Sequence, residues 1–185
     1  VGFGAISGLD VSLPVDAEEL HEVEDVFRVA RLYGIEGPPP ACRVVAPGNA
    51  PTPVPEVTPA IITVAIHISA RKPSQRWPVV RFAEVMRQLS AGGKMRFMLL
   101  WSPGADDNPL HPGDDAKAAE VLEKVGAGAT VIARPTQTLQ DLIRALADCD
   151  IMICADGGAM HLAAGLGLPI VCLFGNSGTQ RWRPW

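Results

Sequence analysis

The sequence has few features that would point to a metal, a membrane or a nucleic acid as its partner. Its four cysteines show no CxxC or Cys/His spacing, so a structural zinc is not expected. No apolar run approaches the roughly 20 residues that a membrane-spanning helix needs. The net charge is −4 and no basic block stands out, which does not support nucleic acid or an anionic membrane as the main partner.

Two further absences narrow the class of protein. The GxGxxG fingerprint is missing, which disfavours a nicotinamide or flavin enzyme. No charged-then-apolar segment typical of a signal peptide opens the chain. Hydrophobic residues make up 48% of the sequence and charged residues 19%, as expected for a folded globular protein. Cys154 and Cys172 lie inside apolar runs and are interpreted as reduced core residues, so we expect a cytoplasmic location.

The N-terminal part predicts one helix followed by a spacer. The segment DAEELHEVEDVFRVARLY (16–33) has the periodicity of an amphipathic helix, with Asp16 as its cap. Beyond it, five prolines lie between Pro47 and Pro59. Proline removes backbone donors and favours extended conformations, so 47–60 is predicted to be an interdomain linker.

Beyond Ala60, apolar runs alternate with helix-like segments. The runs suited to buried strands are IITVAIHI, MRFMLLW, TVIA, IMICA and IVCLF. The segments between them, VVRFAEVMRQL, DDAKAAEVLEKV, LQDLIRALADC and AMHLAAGL, have helical character. Near-continuous apolar strands that alternate with helices predict an α/β fold, a Rossmann-like open parallel sheet with helices on both faces. Such sheets bind ligands at the carboxyl ends of their strands, where most of the unusual polar residues of this region lie.

The segment Asp156-Gly157-Gly158 joins an apolar strand to a helix that contains His161. Backbone amides exposed at a helix start favour a phosphate or diphosphate, and His161 could donate to a phosphate or a sugar hydroxyl. The alternative is purely structural. Asp156 would then be an N-cap, the glycines a tight turn and His161 a satisfied core residue.

Two other strand ends contain charged residues. Arg71, Lys72 and Arg76 follow the first strand of the region and could neutralise a leaving diphosphate, or they could form an ordinary solvated loop. Asp114 and Asp115 are expected to cap the next helix, and Asp114 could also accept from a ribose hydroxyl. The segment ADDNPLHPGDD lacks the spacing of a calcium loop.

Taken together, these motifs resemble the bacterial heptosyltransferase family, which transfers heptose from ADP-heptose to the lipopolysaccharide core. The family pattern of acid, glycine, histidine, two alanines and leucine-glycine is matched by the segment Asp156–Gly167. Phe174-Gly175 and the closing RWRPW extend that match, and Arg76-Trp77-Pro78 is a second one.

The resemblance implies a GT-B fold with the nucleotide sugar on the C-terminal domain and no metal. On this basis 1–46 is the tail of the acceptor-side domain, and 61–185 is a donor-binding domain truncated at its C-terminus. The resemblance places Asp156, Gly157, Gly158 and His161 at the donor. It also places Ser69 at the phosphates, Gln137 beside the adenine and Asp114 near the ribose. Gln75 departs from the family, which often has a lysine there, and Gly157 stands where Ser or Thr is usual.

The expected activity is inverting glycosyl transfer, in which one displacement joins the acceptor hydroxyl to the sugar as the nucleotide diphosphate leaves. The general base is expected in a missing N-terminal part, so no catalytic residue is assigned and the fragment is expected to be inactive alone. The implied partners are a nucleotide-sugar donor and a lipopolysaccharide-type acceptor, with the cytoplasmic face of the inner membrane as one location. The alternatives are a non-catalytic nucleotide-binding module, and an epimerase, for which no clear carboxylate pair is present.

Overall fold

The computed structural model describes residues 1–5, 7–15, 20–48, 61–108 and 112–185. These form two compact units, Val1–Cys42 with Ser177–Trp185, and Arg43–Asn176. Most of the predicted linker, 49–60, lies outside the described residues, so its extended form and the predicted domain limits stay predictions. Within the described residues, no helix is both long enough and apolar enough to cross a bilayer.

Short strands and helices alternate along most of the chain. In order, they are β1 (Gly2–Phe3), β2 (Ser12–Leu13), α1 (Glu22–Arg31), β3 (Ile62–His67), α2 (Val79–Ser90), β4 (Met95–Trp101), α3 (Asp115–Val125), β5 (Val131–Pro135), α4 (Leu139–Ala147), β6 (Ile151–Ala155), α5 (Gly158–Gly165), β7 (Ile170–Leu173) and α6 (Thr179–Trp182). Two 3₁₀ turns, Pro73–Gln75 and Gly126–Gly128, complete the described elements.

In the first unit, β1 pairs with β2, and the start of α1 is fixed by His21. The Nδ1 atom of His21 accepts the Val23 N–H at 3.1 Å, and its Nε2 donates to the Arg183 carbonyl at 2.7 Å. The Glu24 carboxylate accepts the His21 N–H, which completes a capping box. The predicted helix start with Asp16 as cap is therefore wrong: His21 fills the N-cap and the helix begins one residue later. Asp16 itself lies outside the described residues.

The second unit is built on a five-stranded parallel sheet of order β5-β4-β3-β6-β7. The chain runs outward from β3 through β4 to β5, and then returns to place β6 on the other side of β3. The strand order therefore reverses between β3 and β6. Ligands of open parallel sheets bind at such a reversal point, outside the carboxyl ends of the strands.

Side chains of successive strand residues enter two separate hydrophobic clusters. On β4, Phe97 and Leu99 pack toward the cluster that contains residues of α2 and α3, whereas Met98 and Leu100 pack toward the one with residues of α4 and α5. Both sets are almost fully buried. This two-sided burial explains why the strands read as continuous apolar runs rather than alternating ones. The predicted α/β fold, with a parallel sheet covered by helices, is confirmed.

The buried centre of the sheet should contribute more stability than its edge. Leu99 on β4 is fully buried, whereas Ile132 on the edge strand β5 is 40% exposed. We expect Leu99→Ala to lower the free energy of unfolding by about 2–5 kcal/mol, because it removes buried methyl groups and leaves a cavity. Ile132→Ala should cost about 1 kcal/mol or less. Urea unfolding of the two variants measures the difference, and equal losses would contradict the sheet order.

Candidate functional site

The reversal point between β3 and β6 brings two polar loops into contact. The loop after β3 contains the 3₁₀ turn Pro73–Gln75, and the loop after β6 begins with Asp156. The Gln75 side-chain amide donates to Oδ2 of Asp156 at 2.7 Å. This hydrogen bond joins the two sides of the crevice in which an open parallel sheet binds its ligand.

Asp156 is not a helix cap. The N-cap of α5 is Gly157, and no side chain caps the helix. The Asp156 carboxylate is buried, with 6% of the residue exposed, and it accepts from Gln75 instead. The structural alternative in which Asp156 acts only as an N-cap is therefore wrong, because the chain places it one residue too early for that role.

The two glycines of the turn face open space. A Cβ atom built on Gly157 or on Gly158 would have no protein atom within 4 Å. The backbone of Gly157 is extended, with φ 166°, a conformation open to any residue. Neither internal packing nor backbone strain therefore requires glycine at these positions. The space beside the start of α5 is open at both glycines, as an anion bound at a helix start would require.

His161 lies in the second turn of α5 and is partly exposed. Its neighbours Ala159, Met160 and Ala163 fill the core side of the same helix. The interpretation of His161 as a satisfied core residue stays a prediction, because the side chain is partly exposed but is not without a partner. A role for His161 toward a ligand stays a prediction.

The predicted basic loop divides into two kinds of side chain. Arg71 and Lys72 are exposed, and within the described residues neither makes a side-chain hydrogen bond or an ion pair. The Arg76 guanidinium instead donates from Nε to the Ala70 carbonyl at 3.0 Å and from Nη2 to the Arg71 carbonyl at 3.5 Å. Arg76 therefore closes the loop on itself, and Arg71 and Lys72 remain available for an anion.

The same loop packs tightly against the end of β7. A Cβ atom on Gly175 would lie 2.1 Å from the Ser74 carbonyl oxygen, far inside van der Waals contact. Only a glycine permits this approach. Because Ser74 precedes Gln75, the close approach also fixes the position from which Gln75 reaches Asp156.

The carboxyl end of β4 is held by a second set of hydrogen bonds. The Ser69 hydroxyl accepts the Ser102 N–H at 2.9 Å. The Asp115 carboxylate accepts from the Trp101 indole at 2.7 Å and from the Gly104 N–H at 2.9 Å, and these bonds lower its pKa. The prediction that Asp114 and Asp115 cap α3 is wrong in detail: Asp114 occupies the N-cap without a capping side-chain bond, and Asp115 binds the loop.

The predicted site residues form a row along the carboxyl ends of the strands, which we call the edge of the sheet. Asp156 follows β6, Ser69 follows β3, Asp114 precedes α3 after β4, and Gln137 follows the edge strand β5. Gln137 is exposed, and the adjacent Thr138 caps α4 in a capping box with Asp141. Neighbouring strands lie about 4.8 Å apart, so β5 and β6 are separated by roughly 14 Å. The row therefore suits an elongated ligand rather than a compact one.

Two residues of this edge were missed in the sequence. Lys117, in the first turn of α3, donates from Nζ to the Ile68 carbonyl at 2.5 Å and lies 5.6 Å from the centre of the Phe82 ring. Burial lowers its pKa, and the nearby Asp114 partly offsets that effect. A lysine in the first turn opposes the helix dipole, which is a sequence signal that could have identified it. Gln75 is the second, since the sequence presented it only as a departure from the family.

Within the described residues, no group of three or more histidine, cysteine, aspartate or glutamate side chains is arranged to bind a metal ion. The cations that the described edge offers are side chains, chiefly Arg71, Lys72 and Lys117.

The close approach of Gly175 to Ser74 makes a testable prediction. We expect Gly175→Ala to lower the free energy of unfolding by about 1–3 kcal/mol, because the new methyl group collides with a backbone carbonyl. Gly157→Ala is the matched control and should change it by about 0.5 kcal/mol or less, since its methyl group meets no atom. Chemical denaturation measures both, and a harmless Gly175→Ala would show that the loop is placed elsewhere.

His67, at the end of β3, makes a second prediction. Burial, with a smaller contribution from Lys117, lowers its pKa from 6.5 to about 4. Between these pH values the unfolded chain binds more protons than the folded protein, so stability is complete above pH 6.5 and falls as the pH decreases toward 4. The loss attributable to this residue is up to about 3 kcal/mol. His67→Asn should flatten the curve over this window, and parallel curves for the two proteins would contradict the assignment.

Comparison with known proteins agrees with this architecture. The chain is 30% identical over 105 residues to lipopolysaccharide heptosyltransferase 2 of Salmonella typhimurium, and 33% identical over 105 residues to the Escherichia coli protein of that name. Each match covers 57% of this chain but only 28% of the relative. The chain therefore spans well under half the length of the curated relatives that it matches.

Solved structures share the fold. A glycosyl transferase family 9 protein from Veillonella parvula superposes with a TM-score of 0.69 at 20% identity, over 94% of this chain and 49% of that one. The E. coli ADP-heptose lps heptosyltransferase II gives 0.56 at 24% identity, over 70% of this chain and 37% of that one. Residues 7–185 match the family described as glycosyltransferase family 9 (heptosyltransferase), so the chain belongs to glycosyltransferase family 9.

Proposed function

We propose that this chain is the donor-binding part of an inverting glycosyltransferase that transfers heptose from ADP-heptose to the lipopolysaccharide core. The observation that carries the proposal is the arrangement at the reversal point of the sheet. There, a buried carboxylate, Asp156, precedes a helix start whose glycines face open space. Family membership supports glycosyl transfer as the reaction class.

The row of polar residues suggests how the donor lies. The diphosphate would accept from the amides of α5 at Gly157 and Gly158, with countercharge from Arg71 and Lys72. Asp156, next to this helix start, would accept from the sugar hydroxyls. Further along the edge, Asp114 would accept from a ribose hydroxyl and Gln137 would lie beside the adenine.

Three further residues of the predicted donor set, Ser69, His161 and Arg76, have separate roles in this proposal. Ser69 gives an acceptor lone pair to the Ser102 N–H and keeps its own O–H free to donate, as a phosphate oxygen would need. His161 would donate to the phosphate or to a sugar hydroxyl from the second turn of α5. Arg76 acts indirectly, because it shapes the loop that presents Arg71 and Lys72.

The reaction would be a single displacement. The acceptor oxygen forms a bond to the anomeric carbon while the bond from that carbon to the diphosphate oxygen breaks, and ADP leaves with the bonding electrons. A base removes the proton of the acceptor hydroxyl. We assign no general base to the described residues. Their contribution is to stabilise the charge that develops on the leaving diphosphate, for which the helix amides and side-chain cations suffice without a metal.

The acceptor is proposed to be a lipopolysaccharide-type glycan. Such an acceptor would bring the protein to the cytoplasmic face of the inner membrane as a peripheral enzyme. The support is the family and the names of the curated relatives.

The decisive experiment is calorimetric titration of the 185-residue chain with ADP and with ADP-heptose, in EDTA and again with magnesium. We expect binding of both nucleotides in EDTA and no more than about a threefold change with magnesium, because the countercharge comes from the protein. Binding that requires magnesium would contradict this account of the site.

Gly157 provides a matched pair of variants. Gly157→Val should weaken ADP binding by tenfold or more while leaving the melting temperature unchanged, because its side chain would fill space that is open in the protein. Gly157→Ser, which is smaller and can donate to a phosphate, should retain affinity within about threefold. If Gly157→Val binds ADP normally, the helix start is not the diphosphate site. ADP binding without glycosyl transfer by the whole protein would favour the non-catalytic module instead.

A further inference from the structure

The bond between Gln75 and Asp156 has an electrostatic property that bears on ligand choice. Its donor is a neutral amide, and its acceptor is a buried carboxylate. Within the described residues, no lysine or arginine forms an ion pair with Asp156. Among the described residues, the carboxylate is therefore oriented by a neutral hydrogen-bond donor and not paired with a lysine or arginine.

The orientation itself is well determined. Gln75 ends a 3₁₀ turn whose preceding carbonyl, that of Ser74, lies against Gly175. The amide donates to Oδ2 of Asp156, and Oδ1 of the same carboxylate can accept a further hydrogen bond. An oriented carboxylate with one oxygen free is well suited to accept from the hydroxyl of a sugar.

A negative charge at this position treats two related nucleotides differently. The terminal phosphate of a free nucleoside diphosphate carries about one more negative charge near pH 7 than the same phosphate esterified to a sugar. Asp156 repels the free diphosphate more strongly, and only the sugar-bearing nucleotide has hydroxyls to donate in return.

We propose that Gln75 is a specificity-determining residue, which orients Asp156 without neutralising it and so makes the crevice prefer a sugar-bearing nucleoside diphosphate to the free diphosphate. The inference rests on the proposed function of the site. Its consequence for the enzyme is weak retention of the ADP product. A cation at position 75 would orient the same carboxylate but would cancel its charge.

The test is the ratio of the dissociation constants for ADP and ADP-heptose, measured by calorimetry on the 185-residue chain. Gln75→Met keeps the length of the side chain but removes the hydrogen-bond donor. It should reduce the preference for ADP-heptose over ADP about tenfold, because it weakens the binding of ADP-heptose. Gln75→Lys restores a donor to Asp156. This variant should bind ADP-heptose with an affinity within about threefold of the parent, and it should bind ADP about tenfold more tightly than the parent.

Two controls separate this role from a structural one. Gln88→Met makes the same substitution at an exposed glutamine of α2 and should leave both affinities unchanged. In an Asp156→Asn background, adding Gln75→Met should have no further effect on the ratio, because no carboxylate remains to be oriented. Circular dichroism melts establish that each variant is folded.

The outcomes are distinct. If the parent binds ADP-heptose and ADP but Gln75→Met and Gln75→Lys both keep the parent ratio, Gln75 does not set specificity and the inference is overturned while the donor site stands. If Gln75→Met does not fold, the Gln75→Lys variant decides: an ADP to ADP-heptose ratio of dissociation constants equal to that of the parent overturns the inference. If the parent binds neither nucleotide, the proposed function fails first and the inference fails with it.

Discussion

The hydrogen bond from the Gln75 amide to the Asp156 carboxylate connects the two loops on which the candidate site depends. Each partner is prepared by a different part of the sheet. The approach of Ser74 to Gly175 anchors the first loop against the end of β7. Asp156 directly follows the buried strand β6 and is itself only 6% exposed. The reversal of strand order between β3 and β6 is what brings the loops together. The sheet therefore acts as a rigid support for a polar edge.

Some polar residues at the carboxyl ends of the strands stabilise the fold, and others are open to a ligand. Arg76, Asp115 and Thr138 are used in closing loops and capping helices. Arg71 and Lys72, in contrast, have no partner within the described residues, and the glycines of the α5 turn face open space. Groups that the protein does not need for its own folding are available to a ligand. In the proposed function they form an anion site beside the Asp156 carboxylate.

The sequence predicted the strands and helices of the sheet because each carries a local signal, the apolar run or the helical period, strong enough to survive tertiary context. It failed where the determining partner is remote. The cap of α1 depends on the Arg183 carbonyl, 162 residues from His21. The bond of Gln75 to Asp156 spans 81 residues. Lys117 is identified only once α3 is placed beside Ile68. The periodicity of the sequence predicts helices and strands, but it does not predict which loops lie close enough to form hydrogen bonds.

The first amides of α5 are proposed to bind a nucleotide diphosphate, and a backbone amide NMR titration of the chain with ADP in EDTA tests this site residue by residue. We expect the largest chemical-shift changes at the N–H groups of Gly157, Gly158 and Ala159, with smaller ones at Arg71 and Lys72. Saturable shifts confined to residues elsewhere in the chain, or no shift at the α5 start, would contradict it.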